Sequence, residues 1–161
     1  MATREFEGFG RFGQHLGWVA TRINNRFERG LKQIGREVTK AARDKIGNRQ
    51  TGFDPGDGND PFPDWAPLKP STLDEKERLG YSPPDNPLLR EGDLRKSYSW
   101  EVGGTYKAQW VRVGSPSMVA FWHEFGTRHM ASRPVVGPAM AERMPENVKI
   151  LLDGLRAAFA Q

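Results

Sequence analysis

Twelve positions, His123 to Pro134 (HEFGTRHMASRP), hold two of the three histidines, one glutamate and two arginines. Each of these side chains can do chemistry. Imidazoles ligate metals or move protons near neutral pH, and Glu124 offers a carboxylate to a cation or a guanidinium. A zincin-type site needs a second histidine one helical turn after His123, but position 127 is Thr. His129 leaves open a looser two-histidine site with Glu124. Packed or exposed histidines are the commoner reading, so no metal or other cofactor is expected.

Other segments make weaker offers. GFGRFG, residues 8–13, spells the dinucleotide fingerprint, yet no strand precedes it to aim a pyrophosphate at a helix start. The run DPGDGNDPFPD, residues 54–64, carries Asp54, Asp57, Asp60 and Asp64, but its spacing does not fit a calcium-binding EF-hand loop. Neither a Walker loop nor a nucleophile elbow is present, and no serine has an identifiable base. Together these features argue against an enzyme.

A chain of 161 residues fits one domain, and a chain this size buries about two thirds of the surface it exposes unfolded. The absence of cysteine excludes disulfides, thiolate metal sites and a cysteine nucleophile. No apolar run reaches membrane-spanning length and the first residues lack a signal-peptide layout, so a soluble, cytoplasmically made protein is expected. Of the net charge of +4, the basic excess lies in the first fifty residues, with 11 Lys/Arg against 5 Asp/Glu. Such asymmetry suits a surface that meets acidic protein or nucleic acid.

The elements that would position these residues follow from periodicity. Residues 1–15 are Gly-rich and read as a flexible arm ahead of a single domain over 16–161. From Leu16 to Ile46, Val19, Ile23, Phe27, Leu31, Ile34, Val38 and Ala41 form one apolar stripe of a helix. Arg22, Arg26, Arg29, Lys32, Arg36, Lys40 and Arg43 cluster roughly opposite it, while Gly30 and Gly35 weaken the helix. A long Pro/Gly/Asp-rich loop covers 48–66. Pro70 to Glu75 reads as a capping-box start of a short helix ending near Gly80, and Leu88, Leu89 and Leu94 suggest another helical turn. Tyr98, Trp100 and Val102 alternate with polar residues, Gly103-Gly104 is expected to turn the chain, and residues 107–114 return as a hairpin partner. Residues 118–125 fit a strand or a helical turn equally. Past Pro138, Val148, Leu151, Leu152, Leu155 and Phe159 mark a last helix, with Pro145 at a break or first position. The fold class is therefore α+β, with a long first helix and a last helix on a small antiparallel sheet.

Several motifs, in order, resemble one family: Trp65-Ala66-Pro67-Leu68 with Ser71-Thr72 and Lys76; Pro87-Leu88-Leu89 with Gly92, Leu94 and Ser97; Val113-Gly114-Ser115; and residues 120–127 (AFWHEFGT) with Ala131, Arg133-Pro134 and Pro138-Ala139. The set is similar to the tail-completion and head-tail joining proteins of tailed bacteriophages, also called minor tail or virion morphogenesis proteins. Val135-Val136 and Glu91 depart from the usual pattern. The resemblance implies a non-enzymatic virion component of the tail or neck, made in the bacterial cytoplasm. It would assemble with itself as a ring, six-fold by family analogy, and touch neighbouring neck and tail proteins, with no membrane involved. On this reading Trp65, Leu68, Trp122, His123, Glu124, Phe125, Gly126, Thr127, Arg133 and Pro134 form a structural or subunit-interface bracket. Gly126 would supply its turn, Arg133 would fork onto Glu124, and Pro134 would stiffen the exit. The basic helix would meet the Asp54–Asp64 loop of a neighbour. The alternative is a DNA-binding protein holding passing duplex through the Arg/Lys face.

Overall fold

The first helix, α1, runs from Phe9 to Lys45 and begins ahead of the expected Leu16. The computed structural model describes residues 7–48, 62 and 64–160, so of the expected arm over 1–15 the part from Phe9 on is helical rather than loose. Gly10 and Gly13 each cost about 1 kcal/mol relative to Ala, but they extend a helix already nucleated, where every added residue gains a hydrogen bond. Burial along α1 is lopsided. Leu31, Ile34, Val38 and Ala42, with Ile46 just beyond, enter the core, whereas no α1 residue before Gly30 is buried.

The two glycines expected to weaken α1 are its points of closest approach. A Cβ on Gly35 would stand 2.7 Å from the Trp100 ring, and one on Gly30 would stand 3.2 Å from Leu151. The helix gives up intrinsic propensity at these positions to let neighbouring elements lie against its backbone.

After the segment 48–66, largely outside the described residues, an extended stretch from Asp64 to Lys69 leads into α2 (Pro70–Arg78). The expected capping box does not form: Lys69 is the N-cap, and no side chain caps it. Pro70 at the first position starts the helix instead, its missing N–H being one the helix leaves unbonded in any case. A five-residue helix, α3 (Asp93–Ser97), precedes the hairpin.

Strands β1 (Ser99–Thr105) and β2 (Ala108–Gly114) pair antiparallel. Gly103-Gly104 does not turn the chain, because pairing continues to Thr105↔Ala108 and the turn falls at Tyr106-Lys107. Both glycines serve the ladder: a Cβ on Gly103 would strike the Trp110 ring, and one on Gly104, at φ 107°, would strike the Ala108 carbonyl. Cross-strand pairs Trp100↔Val113 and Val102↔Val111 place one face on α1. The other face carries an Arg112–Glu101 ion pair at 2.9 Å and the Arg112 guanidinium 4.9 Å above Trp110. A lone two-stranded hairpin is marginal in water, so α1 supplies the surface that holds it.

Residues 118–125, equally suited to strand or helix by pattern, are helical as α4 (Met118–Phe125), with the Ser117 hydroxyl accepting from the Val119 N–H at 3.2 Å. Gly126 at φ 76° ends it. The last helix, α5 (Val136–Phe159), begins ahead of Pro138 and runs straight through Pro145, which is exposed within it and marks neither break nor start. Packing along α1 holds the helix on both sides of that proline, and Lys45 pairs with Glu142 at 2.5 Å. α1 thus packs on both strands and along α5, with Ile34, Val38, Ala42, Ile46, Trp65, Tyr98, Ala120, Val135 and Ala139 forming the core. This is the expected α+β architecture.

Candidate assembly site around the His123–Pro134 segment

The segment folds into a bracket, but through different bonds from those expected. Glu124 does not pair with Arg133. Its carboxylate accepts the backbone N–H groups of Val135 at 2.8 Å, Val136 at 3.2 Å and Gly137 at 3.0 Å. These lie at the start of α5, where a helix leaves its N–H groups unbonded and its dipole is positive. A carboxylate eleven or more residues upstream therefore caps the last helix and ties α4 to it.

Arg133 is 9% exposed and turns the other way, donating through Nη2 to the carbonyls of Ala66 at 3.0 Å and Pro67 at 3.4 Å. Its backbone N–H donates to the His123 carbonyl at 2.6 Å. The Trp65 indole N–H donates to the Pro134 carbonyl at 3.2 Å. Segments distant in sequence, 65–67, 123–124 and 133–137, are thereby locked together. Gly126 completes the lock, because its left-handed turn brings the chain so near Ser132 N and Met130 O that a Cβ would crowd both. Thr127 and Met130 exchange backbone hydrogen bonds at 2.9 and 3.2 Å across the tip.

Electrostatics follow from burial. The half-buried His123 has its pKa lowered, first by desolvation and then by the Arg133 charge, and its Nδ1 has no hydrogen-bond partner among the described residues. Tyr98, 1% exposed, has its phenol pushed up to about 12 by burial and secondarily by Glu124. Desolvation also lowers the pKa of Arg133. No three His, Asp or Glu side chains gather into a metal-binding group among the described residues. The looser His123, Glu124 and His129 set is not built as a ligand shell, because Glu124 is taken up by the helix cap and His129 is exposed.

The aromatic residues of α4 face outward. Phe125 is 71%, Phe121 54% and Trp122 45% exposed, with Met118 and Val119 beside them, and only Ala120 of this helix is buried. Phe121 and Phe125 pack on each other with centroids 4.9 Å apart. Leu68 is half-buried and Thr127 exposed.

The cationic face of α1 is divided among several tasks. Arg22 donates to the Ala157 carbonyl at 3.2 Å and lies 4.4 Å over Trp18. Lys32 pairs with Glu28 at 2.5 Å, and Arg43 donates to the Tyr98 carbonyl at 2.6 Å. Arg26 is half-buried beside Gly154. Arg29, Arg36 and Lys40 are exposed, and Arg36, Lys40 and Arg43 border an open recess with Arg95. Of the acidic loop, Asp54, Asp57 and Asp60 lie outside the described residues, and Asp64 is exposed. Sequence reasoning placed Tyr98 in the strand alternation and missed it as part of the site; it precedes β1 as the C-cap of α3, and no local signal marks its nearness to Glu124.

No described helix is long and apolar enough to cross a membrane. No curated protein and no solved structure matches the chain. A family model does match, over residues 11–147, which takes in α1, the hairpin, the bracket and the first half of α5. With motif segments hydrogen-bonded to one another and a family model spanning most of its length, the chain belongs to the phage virion morphogenesis family.

Proposed function

We propose that the protein is a non-enzymatic virion component that completes the tail or joins it to the head as a ring of identical copies. The single observation that supports this best is the outward apolar face of α4, with Phe121, Trp122 and Phe125 about half exposed or more on an eight-residue helix. Soluble monomers rarely display such a patch, and large exposed patches mark interaction surfaces. The Glu124 cap and the Gly126 turn hold this face rigid. Rigidity reduces the entropy lost on association.

The counterpart on the neighbouring copy is the start of α1. Upstream of Arg22, which is hydrogen-bonded to the Ala157 carbonyl of α5, the helix continues to Phe9 with Phe9 95% and Leu16 51% exposed. Different surfaces on the two sides of a contact make it heterologous, and such contacts close into rings when the rotation permits. Six-fold closure, placement in the tail or neck and contact with other tail proteins come from the family reading. Light scattering and electron microscopy of the purified protein test this, with Phe121→Ser/Phe125→Ser as the variant. Burying one phenylalanine is worth about 2 kcal/mol, so the double variant should dissociate the ring at concentrations where the parent assembles, without lowering the melting temperature. A parent that stays monomeric at every accessible concentration, with the variant supporting normal virion assembly, would reject the reading.

A second reading, contact with passing duplex DNA, draws on Arg29, Arg36 and Lys40, exposed along α1. Binding of random duplex with a steep salt dependence would support it. Salt-insensitive or undetectable binding would remove it.

A further inference from the structure

A cavity of about 790 Å³ lies beside the bracket, walled by Leu88, Leu94, Val119 and Met130 among others. Two cations line it whose surfaces are covered by neighbouring chain: Lys76 is 3% and Arg133 9% exposed. The Lys76 ammonium donates to the Asn86 carbonyl at 2.6 Å, and Arg133 Nη2 donates to the two carbonyls already named. Arg133 Nε has no partner, and among the described residues neither cation forms an ion pair. Burying a charge without its counter-ion is costly, and proteins otherwise keep such groups paired. The acidic groups at the cavity are engaged elsewhere, Glu91 by the Tyr81 hydroxyl at 3.2 Å and Asp93 by Lys96 at 3.9 Å. Desolvation, and then the nearby Arg90, lower the Lys76 pKa, and exposed Asp85 opposes this more weakly.

Apolar walls with a few polar groups aimed at one place are the composition of a ligand pocket. A bracket made only for rigidity would not need two buried cations, since an apolar replacement of similar volume is often as stable or more so. A partner's carboxylate would supply the countercharge, and the apolar walls would specify what flanks it. We propose that this cavity receives an extended segment of another virion protein, presenting a carboxylate to Lys76 and Arg133 between apolar side chains. The carboxylate is a side chain or a chain end, which share this chemistry.

Three synthetic peptides test the proposal on the full chain: acetyl-Leu-Asp-Leu-Leu-amide, its Asn analogue, and acetyl-Leu-Leu-Leu with a free C-terminal carboxylate. The Arg133 Nε–H resonance in nitrogen-15 NMR reports directly on the unpartnered donor. It should shift saturably with one or both carboxylate peptides, and which of them binds distinguishes side chain from chain end. The Asn analogue should bind at least tenfold more weakly. Lys76→Met should weaken carboxylate binding at least tenfold while leaving the melting temperature equal or higher, because it removes a buried charge without emptying its space. Equal binding of the Asn analogue, an unmoved Arg133 resonance at millimolar peptide, or unchanged affinity in Lys76→Met would each overturn the site. The inference takes from the family only that partners are virion proteins. A protein that binds peptide yet never forms rings would refute the ring and spare the site, and rings without peptide binding would do the reverse.

Discussion

Removing the Glu124 carboxylate should unfasten the start of α5 and destabilise the whole domain. The carboxylate accepts three backbone N–H groups at 2.8, 3.2 and 3.0 Å in a partly buried setting. A hydrogen bond to a charged group contributes roughly 1.5–3 kcal/mol, but three bonds sharing one carboxylate do not add independently. Loss of an ordinary N-cap costs about 0.5–2 kcal/mol, and a charge at a helix start adds up to about 2 kcal/mol in partly buried geometry. Glu124→Ala, which leaves all three donors unserved, should therefore cost about 3 kcal/mol. For a chain of this size 1 kcal/mol moves the melting temperature by roughly 2–4 °C, so a fall of about 6–12 °C is expected. Glu124→Gln keeps one acceptor oxygen but sets an NH2 group against a donor, and should lose about half as much. Thermal unfolding followed by circular dichroism at pH 7 measures both. If both variants melt within a degree of the parent, the carboxylate is not capping α5 and the bracket is held by other contacts.

Three further outcomes follow from the same geometry. Gly35→Ala should destabilise by about 1–2 kcal/mol in urea unfolding, since its Cβ would press to 2.7 Å from the Trp100 ring and outweigh the gain in helix propensity; a neutral or stabilising result would deny the close approach. The His123 pKa is lowered in the folded state, so folding binds fewer protons there than the unfolded chain does. This contribution is complete above the ordinary histidine value near 6.5 and is lost as pH falls through that value toward the lowered one. Urea midpoints should accordingly fall less between pH 7.5 and 5 in His123→Gln than in the parent, and identical slopes would contradict it. Trp65→Phe, which gives up the indole bond to the Pro134 carbonyl and leaves part of the bicyclic ring's space empty, should cost about 2 kcal/mol by chemical denaturation, and no measurable loss would show both bond and packing to be idle.

What the sequence disclosed depended on how local each cause was. The stripe from Leu31 to Val38 and the alternation at Trp100 and Val102 are written within single elements, and those residues lie in the helix and the strand that the patterns called for. Boundaries were less legible. Gly103-Gly104 carries a turn signature, yet a wide ring at Trp110 and a close backbone at Ala108 make small residues necessary inside the ladder itself. Pro145 signals a break, but a helix pinned on both sides tolerates it at an exposed position.

The partner of Glu124 was unreadable for a different reason. Capping signatures are defined by the residues next to the helix, and on that criterion α5 has Val135 as its N-cap, a residue with no side-chain hydrogen bond to cap it. The group that serves as its cap stands on α4, and the Gly126 turn and the Arg133 N–H to His123 carbonyl bond help bring it there. Pairing Glu124 with Arg133 was the natural expectation from charge alone. Geometry decided otherwise, because the carboxylate is turned onto three N–H groups at a helix start, while the Arg133 guanidinium donates to the carbonyls of Ala66 and Pro67. The unmade ion pair leaves the arginine buried without a countercharge among the described residues, and that deficit is the ground for the carboxylate-bearing partner we propose.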